Sequence, residues 1–334
     1  MWRDIISLVL SLGIILISCE LFTNGIEWLG KKLKFGDGVV GSIFSAIGTC
    51  LPETIIPIIA ILFTKNSANN VDIGIGAIIG APFMLSTLAF FLTGLSVLIF
   101  WKRRRTGLRM NVNSKILGRD IGFFIIIYTI GISAALLESK PLKYLIALFL
   151  LGYYVYYIIL TVKNDVESHN KLETLYFAKM LKSKPSMTSI VLQIVIALGG
   201  IIFGAEIFVG SIEAAADIFG ISALALSLVI TPVATELPEK FNSIIWISRK
   251  KDTLALGNIT GAMVFQSCIP VTIGILATSW ELDAKALASA AAALLSSAVV
   301  YLWIKIRGSL NPFPLLFGGV FYAAFITYLI ATGF

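Results

Sequence analysis

The chain has 334 residues, 57% of them hydrophobic and 13% charged, with a mean hydropathy of +0.92. These values lie far outside the range of a soluble globular domain, so the sequence reads as a polytopic membrane protein. The formal charge of +7 calls for no nucleic-acid partner, because it falls mainly on short loops beside apolar runs, where Lys and Arg set topology.

Runs long enough to cross about 30 Å of hydrocarbon fall at 4–29, 38–64, 71–100, 120–137, 142–162, 189–216, 222–248, 253–279, 286–303 and 311–332. These are the predicted spans 1 to 10. A membrane barrel would show shorter alternating strands, and that pattern is absent, so the expected fold class is all-α. The first run has one Arg balanced by one Asp and no small-residue cleavage site, which predicts a retained span. Cys19, Cys50 and Cys268 all fall within spans and give no disulfide framework.

Of the 26 basic residues, 20 lie in the loops after spans 1, 3, 5, 7 and 9, five lie on the other side, and Lys240 sits inside span 7. The imbalance places the odd loops in the cytoplasm and both termini outside. The run WKRRRTGLR at 101–109 is then a juxtamembrane anchor.

Shifting the chain against itself by 186 residues aligns 12–53 with 198–239 without a gap, and 11 of 42 positions match. The matches include Glu20 with Glu206, Glu27 with Glu213, and Thr49, Leu51, Pro52 and Glu53 with Thr235, Leu237, Pro238 and Glu239. Further on, GAIIGA at 76–81 meets GNITGA at 257–262. The chain therefore divides into a first five-span repeat (1–162), a cytoplasmic linker (163–188) and a second five-span repeat (189–334). Five is odd, so the second repeat enters the membrane from the opposite side, which is the inverted-repeat arrangement of transporters.

The Pro-Glu pair at the middle of spans 2 and 7 combines a helix breaker with a charge. Proline removes a backbone donor and frees carbonyls near Gly48 and Ala234. An ionised acid at that depth costs roughly 2.5–3.5 kcal/mol on insertion scales and should face a cation, a proton or a basic partner. A packing kink with a protonated structural acid would explain one such motif, but an inverted duplicate favours a hard-cation site. Helical spacing puts Ala46, Thr49 and Glu53 on one face, and Pro232, Thr235, Glu236, Glu239 and Ser243 on another. Glu20 and Glu206 are weaker candidates, expected to hydrogen-bond between helices.

GTCLPET in the first half, with ATELPEK and ALGNITGAMVFQ in the second, resembles the two α-repeats of the calcium/cation antiporter superfamily, which includes sodium/calcium exchangers. The resemblance spans nearly the whole chain. It implies a core of spans 2, 3, 7 and 8 around a central cation site, with spans 1 and 6 sliding against it during alternating access. By position, Glu53 and Glu239 would be the acids shared by the divalent ion and its counter-ions. Thr49 and Thr235 would add hydroxyl oxygens, and Ala46 and Pro232 backbone carbonyls.

The departures shape the expected chemistry. Family members have Gly-Thr-Ser-Leu-Pro-Glu, where this chain carries Cys50 and Glu236 at the Ser position. The polar stripe of spans 3 and 8 becomes Ala77, Ala81 and Leu85 in the first half, and Asn258, Ala262 and Gln266 in the second. A divalent ion can still find six or more ligands among carboxylates, hydroxyls, carbonyls and water, whereas three sodium ions cannot. Glu236 and Lys240 stand four apart in the order that favours an ion pair, and Lys240 could act as a tethered cation in the coupling. Two neighbouring carboxylates in a dry site rarely ionise together, which makes a proton a plausible counter-ion.

The resulting expectation is a secondary antiporter exchanging a divalent cation, Ca²⁺ before Mg²⁺ or Mn²⁺, for Na⁺ or H⁺. A cation channel built on inverted repeats is the alternative, and an intramembrane enzyme or receptor the competing class. Against the enzyme, the single histidine, His169, lies in the linker, and neither a nucleophile signature nor His-Glu-x-x-His is present. No cofactor is expected. The partners are inorganic cations and the lipid bilayer, the unit of transport is a monomer, and the site of action is a prokaryotic plasma membrane.

Overall fold

In the computed structural model the described residues are 2–33, 50–63, 68–104, 106–164, 174–180, 182 and 184–332, with side chains at 2–5, 68, 162–164 and 237–242 outside the description. Each of the ten predicted spans contains helix. Eight helices among the described residues are long and apolar enough to cross a membrane. Two shorter apolar stretches, Leu51–Phe63 and Ala223–Glu236, fall in predicted spans 2 and 7. An isolated bridge between Met110 and Leu310 is the one β-pairing among the described residues, so the protein is all-α.

Span 1 is Trp2–Lys32, and span 2 runs from Leu51 to Ile58 and on through a π-turn at Ile59–Phe63. Span 3 comprises Ala68–Met84, a π-turn at Leu85–Ala89, and Phe90–Phe100. Span 4 is Ser114–Ser133, beginning six residues before the predicted start, because the Asn113 side chain caps it by accepting from the Lys115 and Ile116 amides. Span 5 is Lys140–Asn164, and a short linker helix, Tyr176–Met180, precedes span 6 at Met187–Phe219. Spans 7 to 10 are Ala223–Ser248, Asp252–Ala277, Ala284–Arg307 and Pro312–Ala331.

The packing repeats with the halves exchanged. Spans 4 and 5 of the first repeat lie on span 8 of the second, and spans 9 and 10 of the second lie on span 3 of the first. The two inverted repeats are thus interlocked, each wrapping the other's core helix. Spans 1 and 6 pair lengthwise, and the apolar cluster they share takes in Ile56, Ile59 and Ala60 of span 2 and Ile73 of span 3. Their approach depends on small residues: a Cβ on Gly204 would meet Ile15 at 2.8 Å, and one on Gly200 would collide with Ser18.

Glu20 and Glu206 are both exposed. Glu20 accepts from the Tyr176 hydroxyl at 2.9 Å, a hydrogen bond between span 1 and the short linker helix. A buried Asn24 and Gln193 continue that contact: Gln193 donates to Asn24 Oδ1 (2.9 Å) and accepts from the Phe177 amide (2.9 Å).

Candidate cation site

Glu53 sits in the first turn of the described span 2 helix, with Pro52 at one of the first two helical positions and Cys50 as its cap. A proline there forfeits an amide that would have lacked an intrahelical partner anyway, and the exposed amides of a helix start favour a carboxylate. The Glu53 side chain is nevertheless buried, with 3% of its surface exposed. Thr54 donates to the Cys50 carbonyl at 2.8 Å, closing the turn. Ala46 and Thr49, the other predicted contributors from this repeat, lie outside the described residues.

Span 7 is built differently, since its helix continues through Pro238. The missing amide of Pro238 deprives the Ala234 carbonyl of its usual donor. Thr235 and Glu236 are both buried. The Thr235 hydroxyl donates to the Thr231 carbonyl at 3.0 Å, which spends its proton on the backbone and leaves its lone pairs to accept or to ligate. Backbone helix is described at Glu239 and Lys240, but their side chains lie outside the description.

Spans 3 and 7 meet backbone to backbone. A Cβ on Gly76 would stand 2.6 Å from the Leu224 carbonyl, and one on Gly80 would strike the Leu228 carbonyl and lie 2.7 Å from Pro232 Cγ. This small-residue seam at positions 76 and 80 holds buried Pro232 in the packed core. Ser227 donates to the Ile73 carbonyl at 2.7 Å and lies 3.0 Å from the Thr231 hydroxyl. The polar ladder of Ser227, Thr231 and Thr235 recurs every four residues; that spacing was readable in the sequence, although its first two members were not singled out.

Span 8 runs unbroken past Asn258, which is half-buried, and Gln266, which is fully buried. Neither Gln266 Nε2 nor Oε1 finds a hydrogen-bond partner among the described residues, and the same holds for the buried Ser243 hydroxyl on span 7. On span 3 the corresponding positions, Ala77, Ala81 and Leu85, are buried and apolar. The helix carrying Glu53 packs against both span 7 and span 8, so the structure gathers Glu53, Thr235, Glu236 and Gln266 on mutually packed helices. Among the described residues, no cluster of three or more His, Cys, Asp or Glu side chains forms a ready metal centre.

Two further buried acids, Asp120 and Asp252, are paired with arginines. Asp252 forms a two-pronged ion pair with Arg104, whose Nη1 donates to Oδ1 at 2.8 Å, and also accepts from the Asn111 amide at 2.7 Å. Asp120 accepts from Arg119 at 2.9 Å and from Thr260 at 3.3 Å.

The family model for the sodium/calcium exchanger protein matches residues 4–163 and 189–333. The chain belongs to that family. It is 24% identical over 326 residues to the putative antiporter CaxA of Alkalimonas amylolytica, covering 97% of this chain and 96% of the relative. It is 22% identical over 308 residues to the inner membrane protein YrbG of Escherichia coli strain K12, covering 91% and 89%. Among solved structures, that of the H⁺/Ca²⁺ exchanger CAX superposes with a TM-score of 0.74 at 17% identity, covering 98% of this chain and 82% of the other. The sodium-calcium exchanger NCX_Mj superposes with a TM-score of 0.58 at 23% identity, covering 98% of both chains. Both likenesses are of fold. The family is one of membrane exchangers, so the broad activity of this chain is cation antiport.

Proposed function

We propose that this protein exchanges a divalent cation, Ca²⁺ first, for H⁺ or a reduced number of Na⁺ by alternating access. The observation that carries the proposal is the pair of buried acids, Glu53 and Glu236, contributed by opposite repeats to helices packed on one another. Burying carboxylates at this depth is costly unless they hold a cation, a proton or a basic partner. Glu239 would complete the acidic set, Thr235, Thr49 and the carbonyls of Ala46 and Pro232 would add oxygens, and Gln266 and Asn258 would complete the side formed by span 8. The orphaned amide of Gln266 supports this, since a cation would satisfy its oxygen.

Coupling follows from the asymmetry of ligands. Ala77, Ala81 and Leu85 offer no side-chain oxygen for additional sodium ions, whereas Glu236 and Glu239 lie within one turn of span 7. A proton on one of that pair, or the Lys240 ammonium, would then take the place of a sodium ion. In this reading the termini are external, the linker is cytoplasmic, and a monomer in a prokaryotic plasma membrane is the working unit.

The test is divalent uptake into proteoliposomes under separately imposed Na⁺ and pH gradients, across Ca²⁺, Mg²⁺ and Mn²⁺. Uptake should follow the pH gradient more steeply than the Na⁺ gradient. Uptake driven fully by Na⁺, cooperative over three sites and indifferent to pH, would overturn the coupling, and flux needing no counter-ion would make the protein a channel.

A further inference from the structure

A groove of about 630 Å³ runs along the outer face of spans 4, 5 and 9 and is lined by none of the candidate cation-site residues. Its volume is in the range of cavities that hold organic ligands. Its polarity is graded along its length. At one end lie Ser114, Lys115 and Arg119 at the start of span 4, together with Lys305 and Gly308 at the end of span 9. That rim is fixed, because the Ser114 hydroxyl donates to the Gly308 carbonyl at 3.1 Å and the Met110 amide to Leu310 at 2.9 Å.

Further along span 4 the lining changes to Gly122, Phe123 and Ile126, faced by Tyr153 of span 5 and Tyr301 of span 9. Gly118 and Gly122 make the floor. A Cβ on Gly122 would come 3.3 Å from the Tyr301 ring, and one on Gly118 3.6 Å from Ile304. The Tyr301 ring therefore covers Gly122, while Gly118 has only Ile304 beside it among the described residues, and Phe123, Ile126, Tyr153 and Tyr301 form the apolar part of the groove.

The charges at the rim do not cancel. Arg119 is held by Asp120 (2.9 and 3.0 Å) and Thr161 (3.2 Å) and stacks over Tyr157. Lys115 and Lys305 are exposed, and Lys305 lies 5.6 Å above the Tyr301 ring. Two cations therefore remain in excess at the polar end. On the basic-loop count this end faces the cytoplasmic leaflet, where anionic headgroups are attracted to such clusters.

We propose that this groove is a binding site for one anionic glycerophospholipid, its phosphate held by Lys115 and Lys305 and one acyl chain laid past Gly118 against Phe123, Ile126 and Tyr301. A zwitterionic lipid would carry its own ammonium into the basic rim and lose the attraction. Inorganic phosphate would gain the charges without the apolar part of the groove.

The experiment uses delipidated full-length protein in nanodiscs of mixed phosphatidylglycerol and phosphatidylcholine, with retained lipid counted by native mass spectrometry. Phosphatidylglycerol should be retained in preference, K115Q and K305Q should each weaken its retention roughly fivefold, and G118L should weaken it with both lysines in place. Equal retention of the two lipids, undiminished retention in the K115Q/K305Q double variant, or displacement by inorganic phosphate alone would overturn the proposal. The lysines are exposed, so their replacement tests binding even if G118L fails to fold. Failure of the antiport coupling would leave the result unaffected.

Discussion

The two repeats share a motif but differ in what they offer a cation. In the first, Pro52 begins a helix, Glu53 follows in its first turn, and the neighbouring span 3 presents Ala77, Ala81 and Leu85. In the second, the helix passes through Pro238, and span 7 supplies Thr235 and Glu236 while span 8 supplies Gln266. Among the described residues, the first repeat thus presents a buried carboxylate and the second a carboxylate, a hydroxyl and an amide, while Thr49, the counterpart of Thr235, lies outside the description. Duplicated backbones can therefore remain alike while span 3 is apolar where span 8 carries Asn258 and Gln266, because folding depends on small-residue seams and apolar faces rather than on the polar groups between them.

The comparison is broken most severely at its shared element. Glu53→Gln and Glu239→Gln should each reduce exchange to background while the protein still elutes as a folded species, since each removes an acid of the duplicated motif. Normal flux in either variant would withdraw the assignment. Next in size is the link between repeats at Arg104 and Asp252. Arg104→Ala strands a buried carboxylate and should cost about 3–5 kcal/mol of stability, read as a lowered thermal midpoint in detergent.

Exchanging features between repeats gives smaller effects of opposite sign. Leu85→Gln would place an amide in an apolar setting and should destabilise by about 1–3 kcal/mol. Gln266→Leu removes an amide without a partner among the described residues, so the ion-free protein should be no less stable than before, while stabilisation by added divalent ion shrinks. A large loss of stability in ion-free Gln266→Leu would show that the amide is structural. On span 7, Lys240→Ala should change the ratio of pH-driven to Na⁺-driven uptake more than divalent affinity, as measured from concentration curves under each gradient. The mildest intervention is labelling: Lys31→Cys and Asp217→Cys, equivalent by the 186-residue shift, should react from opposite sides of the membrane. Reaction from the same side would contradict the inversion.

Much of the fold was legible because a bilayer imposes simple rules. Apolar runs of about twenty residues become helices, and an odd number of spans per repeat inverts the second copy. Of the expected site residues, Glu53, Thr235, Glu236 and Gln266 are buried on mutually packed helices, whereas Ala46, Thr49 and the side chains of Glu239 and Lys240 lie outside the described residues. The start of span 4 was misplaced because Ser114–Arg119 is polar in composition and helical through the Asn113 cap. The partner of Glu20 was missed because Tyr176 is 156 residues away, and no local pattern records such a contact.

The sequence by itself determined the membrane setting, the ten helices, the inverted duplication and the family, all of which rest on composition, periodicity and motifs carried along the chain. Only the tertiary structure decided which acids are matched by arginines, that Thr235 directs its proton to Thr231, and that Gln266 is buried without a partner among the described residues. It also decided that lysines on spans 4 and 9 share the rim of one groove. Those facts depend on which surfaces of distant helices meet, and the small-residue seams that set the meeting act through shape, which hydropathy does not encode.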